Sequence, residues 1–189
     1  TDNDITKNEI PNTLNSLILT RIDSLEKDLK ELLQKATVIG EDFFIKTLSL
    51  LESKLGFSEE IKENINQLEL ENFIQEYLQE KNHYKFKHIL TRDVSYNTIL
   101  KANKKILHKA VAEVIEENFS DSIDNFLFDL SIHYHVSENY EKAIEFLELA
   151  GNKFNNLYDK NKALECYIKI LNIIKQHKES LKKYNDKIY

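Results

Sequence analysis

Tyr84-Lys85-Phe86-Lys87-His88-Ile89-Leu90-Thr91-Arg92-Asp93-Val94-Ser95-Tyr96-Asn97-Thr98-Ile99-Leu100 changes its period part-way along. The first five residues alternate, with Tyr84, Phe86 and His88 on one face and Lys85 and Lys87 on the other, and this predicts a strand. From Thr91, a hydroxyl residue suited to cap a helix, Val94, Ile99 and Leu100 fall near helical spacing. His88 therefore stands at a strand-to-helix junction, where a ring nitrogen can meet a phosphate or a backbone carbonyl. Lys87 and Arg92 beside it make the spot rich in donors.

Upstream, Phe73 to Leu78 reads as a second short strand, joined to the first by a polar turn around Glu80 to His83. Before that the pattern is helical. Pro11 suits a first helical turn, and Leu14, Leu17, Ile18, Arg21, Ile22 and Leu25 form one stripe. A second helix is expected from near Ser24 through Leu29, Leu32, Leu33 and Ala36, with Gly40 as a left-handed cap. Phe43, Phe44, Leu48 and Leu51 predict a third, ended near Gly56, and Ser58 should cap a fourth carrying Ile61, Ile65 and Leu68. Helices followed by a hairpin is the order of a winged helix. Strand content is expected only in that hairpin, near 73 to 89.

Beyond Thr91 the pattern is helical to the end, with Ala102 to Asn118 followed by stretches at about 124–137, 140–157 and 160–176. Leu127, Leu130, Tyr134, Tyr140, Ala143, Leu147 and Ala150 have tetratricopeptide-like spacing, in which small residues let antiparallel helices approach closely. A second Ala-bearing helix follows in Lys162 to Tyr167. Ala143 and Ala163 are 20 positions apart, however, not the ~34 of a tandem repeat. The expectation is one such repeat plus an extra helix. The fold class read from the chain is mainly α, in three parts: a linker at 1–11, a winged-helix-like domain at 12–100 and a tetratricopeptide-like region at 101–189. Tyr134, Tyr140 and Tyr158 are its candidate partner contacts.

Composition narrows the function classes. The chain has 189 residues, 41% apolar and 31% charged, with one Pro and three Gly, as expected of a globular protein built from helices. It contains no Met, even at position 1, which is expected of a piece cut from a longer protein. Cys166 stands alone, so neither a disulfide framework nor a cysteine zinc site is open to these residues, and it is expected to be a small buried helix residue. No apolar run reaches a membrane span, the first residues are polar, and a cytoplasmic setting is expected. Net charge is −6, yet residues 81–109 hold Lys81, Lys85, Lys87, Arg92, Lys101, Lys104, Lys105 and Lys109 against Asp93 alone. Such a band can face a nucleotide, nucleic acid or an acidic protein surface, or can be a solvated helix face.

Three segments together resemble one family. Ile10-Pro-Asn-Thr-Leu with Leu19-Thr-Arg-Ile-Asp-Ser-Leu, then Ala36-Thr-Val-Ile-Gly-Glu-Asp-Phe, then Phe86-Lys-His-Ile-Leu-Thr-Arg-Asp-Val-Ser-Tyr, are similar to the winged-helix region of STAND-type signalling ATPases. His133-Tyr, Tyr140-Glu-Lys-Ala and Ala150-Gly are similar to the tetratricopeptide start that follows it, so the likeness spans about residues 10–175. Some members carry an N-terminal class III adenylate/guanylate cyclase. The resemblance implies a regulatory module whose parent binds ATP or ADP. It also implies that His88, with Lys87 and Arg92, senses a nucleotide phosphate there, as the histidine of a Met-His-Asp-like segment does in that family. Ile89 stands where the segment has Asp.

Other chemistries lack support. No Gly-x-x-x-x-Gly-Lys-Ser/Thr loop occurs, so the piece itself is expected to hold no cofactor and to be no enzyme. His133 and His135 are two apart on a helix, a spacing that puts them on different faces, and no metal site is expected. His83 and His108 are expected at the surface. Tyr96 and Tyr134 read as core aromatics with a wet hydroxyl rather than catalytic groups. No Ser lies in a nucleophile elbow. A DNA-binding winged helix of a transcriptional regulator is the alternative, but its recognition helix, 58–71, would hold five Glu and one Lys, and phosphates repel that charge.

Overall fold

The computed structural model describes residues 10–56, 61–178 and 181, in two compact units, Thr1–Lys101 and Ala102–Tyr189. The chain is mainly helical, with one small three-stranded antiparallel sheet. Among the described residues no helix is long and apolar enough to cross a membrane.

The first unit runs α1 (Ile10–Asp23), α2 (Lys27–Ile39), β1 (Asp42–Phe44), α3 (Ile45–Leu55), α4 (Ile61–Leu70), β2 (Ile74–Glu76), β3 (His83–Phe86) and α5 (Ile89–Thr98). Helical spacing puts Ile18 and Ile22 of α1, Leu29, Leu32, Leu33 and Ala36 of α2, and Ile61, Ile65 and Leu68 of α4 into one core. Phe43, Phe73, Ile74, Tyr84 and Phe86 join it from the sheet segments.

Strands are not confined to the hairpin. Phe43 and Phe44, expected in a helix, form β1, which pairs with β3 in the sheet order β1-β3-β2. Phe43 lies opposite Tyr84, and its ring centroid is 6.1 Å from those of both Tyr84 and Phe86. Three residues are too few to show a period of two; pairing with β3 and the aromatic packing hold the segment extended. The hairpin itself is as expected, with Ile74 opposite Phe86 and Glu76 opposite Tyr84.

Several element ends differ from expectation for local reasons. Helix α2 starts at Lys27 because the Ser24 hydroxyl donates back to the Arg21 carbonyl, closing α1 instead of capping α2. Gly40 has φ 168, extended rather than left-handed; an added Cβ would lie 3.1 Å from the Asp42 carbonyl oxygen. Gly56 is the left-handed cap, with φ 82 and its N–H donating to the Glu52 and Ser53 carbonyls. Thr91 does not cap α5; it is buried one turn in, and His88 is the cap residue. Ser58 lies outside the described residues, as do residues 1–9 of the expected linker, whose last two positions already belong to α1.

Lys35 of α2 and Glu52 of α3 form a buried ion pair, Nζ to Oε1 2.9 Å. Removing one member of such a pair strands the other charge, whereas apolar residues of similar size dispense with both. Glu52→Leu should therefore cost about 3–5 kcal/mol in urea unfolding, and adding Lys35→Met should recover most of that loss. A double variant no better than the single would show that the pair is not the source.

The second unit contains α6 (Lys101–Asn118), a 3₁₀ segment at Ser120–Asn125, α7 (Leu127–Val136), α8 (Tyr140–Asn156) and α9 (Lys160–Gln176). The two connections between the last three helices are built alike. Glu138 and Tyr158 both take left-handed φ, 63 and 61. Each is followed by an N-cap side chain, Asn139 or Asp159, that accepts from the backbone N–H three residues on. The 20-residue spacing of Ala143 and Ala163 is thus one 17-residue helix plus one three-residue connection, not a pair of helices.

Antiparallel α8 and α9 touch most closely at Gly151, where an added Cβ would lie 2.8 Å from a Tyr167 ring carbon and 3.3 Å from the Cys166 Cβ. Cys166 is free and fully buried, as expected. Gly151→Val should lower the unit's stability by roughly 1–3 kcal/mol in thermal unfolding, since a branched side chain cannot fit unless the helices part. An unchanged melt would mean that α9 moves without cost.

Candidate functional site

The residues that the sequence singles out around the junction do not converge on one point. His88 has extended backbone (φ −136, ψ 130), its side chain is exposed and makes no capping bond, and its carbonyl accepts the Thr91 N–H at 2.9 Å. The Lys87 ammonium donates to the Asn72 side-chain oxygen, and its backbone N–H to the Phe73 carbonyl at 3.0 Å. Arg92 turns to Asp93 (3.1 Å), with its guanidinium 6.0 Å from the centre of the Tyr96 ring. His88 and Lys87 are both exposed, and Lys87 is held by Asn72.

The basic band is divided between the two units and largely engaged. Lys85 lies 4.9 Å over the Tyr77 ring, Lys105 pairs with Glu138 at 2.6 Å, and Lys109 lies 3.9 Å from Glu113.

A more constructed environment surrounds His83, which is not exposed as expected but held in the sheet. Its ring lies between Phe44 (centroid 4.2 Å) and Tyr77 (4.4 Å), both stacked on it. Nε2 is 2.9 Å from Asp42 and Nδ1 3.0 Å from Glu80. With a carboxylate on each side, both contacts are hydrogen bonds only when both nitrogens carry protons. The clamp joins β1, the hairpin turn and β3, three segments that sequence spacing does not bring together. Burial and the Asp42 charge raise the Tyr77 hydroxyl above its usual value.

In the second unit, α7, α8 and α9 enclose an open groove of about 430 Å³. Ile132, Leu147 and Ile173 supply apolar lining, and His135, Lys169 and Asn172 supply polar groups. Burial, then the nearby His177 and Lys169, lowers His135 below its usual value, and Lys169 pairs with Glu165 at 3.4 Å. Tyr140 is half-buried and stacks on His177 at 3.7 Å beside this region. Tyr158 is 85% exposed on the α8–α9 connection.

Tyr134, the third candidate contact, is inside the fold. Its ring stacks on Phe146, and its hydroxyl is tied to Glu116 and Lys142. Lys142 also holds both Glu116 oxygens, at 2.7 and 2.9 Å, so one polar knot joins α6, α7 and α8. Burial and the bond to Glu116 push Tyr134 up to about 12, against the opposing Lys142. Burial opposes the charge on Lys142, but its bonds to Glu116 and Tyr134 win and raise it to about 12.

His108 is the other histidine expected at the surface and found inside. Its Nδ1 meets that of His133 at 2.8 Å, both rings being buried. One nitrogen must donate and the other accept, so the accepting Nδ1 cannot take a proton without losing the bond. The spacing of His108 with Val111 and Ile115, three and seven residues on, was the available signal that it shares their buried stripe. Among the described residues no group of three or more His, Cys, Asp or Glu side chains could hold a metal.

No protein-family model matches this chain, and no curated protein and no solved structure matches it either.

Burial, and secondarily the facing His108, lower His133 from 6.5 to about 3. The unfolded chain therefore binds a proton that the folded chain refuses, so this contribution to stability is complete above pH ~6.5 and is lost as pH falls toward ~3. The slope should approach 1.4 kcal/mol per pH unit at most, about one proton's worth. In His133→Gln, which cannot titrate, thermal unfolding followed from pH 7 to 4.5 should show a shallower decline. A parallel decline in both proteins would assign the acid sensitivity elsewhere.

Proposed function

We propose that this chain is a non-catalytic regulatory and interaction module of a multidomain, cyclase-like signalling ATPase that works in the cytoplasm. The observation that carries the reading is the element order of the first unit. Taking α2, α3 and α4 as its three helices, the order is helix, strand, helix, helix, hairpin, with β1 beside β3. That order supports a winged-helix reading, in which β1 would be the third strand. The helices that follow offer a groove with apolar lining and polar groups at His135, Lys169 and Asn172, suited to a protein segment. In this reading the groove engages a partner or another part of the parent, and the winged helix relays that event to an ATP- or ADP-bound domain. Exposed His88 is the group free to reach a nucleotide phosphate.

DNA reading is the weaker fit. Helix α4, Ile61–Leu70, would be the recognition helix, and its charged residues are Lys62, Glu63 and Glu69. Duplex DNA titrated at ~150 mM salt should show no sequence preference; specific binding near 10⁻⁸ M would replace this proposal with a transcriptional one. For the relay, His88→Ala in a protein that includes the ATPase domain should speed nucleotide release. Because His88 is exposed, stability should stay within about 0.5 kcal/mol of the original. A variant that melts early with unchanged release would make His88 purely structural.

A further inference from the structure

Helices α8 and α9 follow one pattern, displaced by 20 residues. That shift carries Ala143, Phe146 and Ala150 onto Ala163, Cys166 and Ile170, all of them buried. It also carries Ile144, Leu147 and Gly151 onto Leu164, Tyr167 and Leu171. On α8 these three are buried, and Gly151 is where α9 approaches. On α9 the equivalents Leu164 (58%) and Leu171 (56%) are open, with Ile168 at 48% between them, whereas Tyr167 leans onto Gly151 of α8 and its hydroxyl donates to Asn152. The outward face of α9 thus repeats the face through which α8 receives its successor. Leu164, Ile168 and Leu171, at i, i+4 and i+7, make an apolar stripe one helix wide.

Charge selects the occupant. Lys160 stands four residues before Leu164 and Lys175 four residues after Leu171, so each end of the stripe carries a cation. Lys160 reaches the Asn155 amide oxygen rather than a carboxylate, and Lys175 has no ion-pair partner among the described residues. A second copy laid antiparallel on this face would set Lys160 against Lys175 at both ends, and like charges repel. Acidic ends would be drawn to the same places.

We propose that the outward face of α9 binds an amphipathic helix of a partner protein, aliphatic along its middle and acidic toward both ends. It lies on α9 as α9 lies on α8. This goes beyond the groove reading above, and its failure would leave the DNA and nucleotide-release tests of that reading intact.

The test uses the 189-residue chain and a fluorescein-labelled helical peptide as long as α9, with Leu at i, i+3, i+4 and i+7 and Glu at both ends. Anisotropy should show saturable binding at least about tenfold tighter than for the same peptide ended in Lys, and weakening with salt. Ile168→Asp should remove that binding while circular dichroism stays unchanged. Lys175→Glu, which spares the apolar stripe, should narrow or reverse the preference between the peptides. Equal affinity for both peptides, or binding that survives Ile168→Asp, overturns the proposal. So does sedimentation in which the original chain self-associates and Ile168→Asp is monomeric, which would make the occupant a second copy.

Discussion

Pairing of β1 with β3 is the constraint on which the first unit depends. Asp42 to Phe44 lie about forty residues from their partners, so the pairing closes a long loop before returning any energy. Side-chain packing on both faces supplies that return. Phe43 goes inward onto Tyr84 and Phe86, while Phe44 and Asp42 go outward onto His83. Once those contacts form, α3 begins immediately, its first N–H donating to the Asn82 carbonyl in the hairpin turn. The helical layer and the hairpin are thereby fixed to each other through a strand of three residues. The same arrangement brings His88 to the end of β3 with its side chain in solvent.

The second unit is held together differently. Its last three helices meet through two equivalent connections, and contacts such as Lys142–Glu116 and Lys169 over Phe128 also tie helices that are not adjacent in sequence. Left-handed backbone at Glu138 and Tyr158 costs energy that a glycine would not. Glu138 recovers some of that through Lys105, whereas Tyr158 keeps an almost wholly exposed ring at a strained position.

Polar groups inside each unit determine which arrangement is adopted more than how much apolar surface is buried. Lys35 and Glu52 are satisfied only if α2 and α3 take one register, and Glu116 only if α6, α7 and α8 meet at Tyr134 and Lys142. His108 and His133 impose a further condition, since one Nδ1 must donate and the other accept. None of these groups forms a catalytic constellation, and each is occupied by a partner within the fold.

Helices were legible because their buried residues repeat over several turns. Leu29, Leu32, Leu33 and Ala36, or Ala143, Leu147 and Ala150, identify a face without reference to anything distant. The hairpin was legible from alternation at Tyr84 and Phe86, and the isolation of Cys166 from composition. Strand β1 was not, because three residues show no period and Phe43 and Phe44 fit the spacing of Leu48 and Leu51 equally well. Nor was His83, whose place between Phe44 and Tyr77 depends on β1 and Asp42 arriving from elsewhere in the chain. His88 was placed correctly at its junction, yet whether its side chain would be spent on the fold or left in solvent was a question of packing. Local periodicity by itself determined the elements and most of their faces. Tertiary structure alone decided which polar side chains are consumed in holding those elements together, because a hydrogen bond or ion pair needs a partner that sequence distance does not reveal.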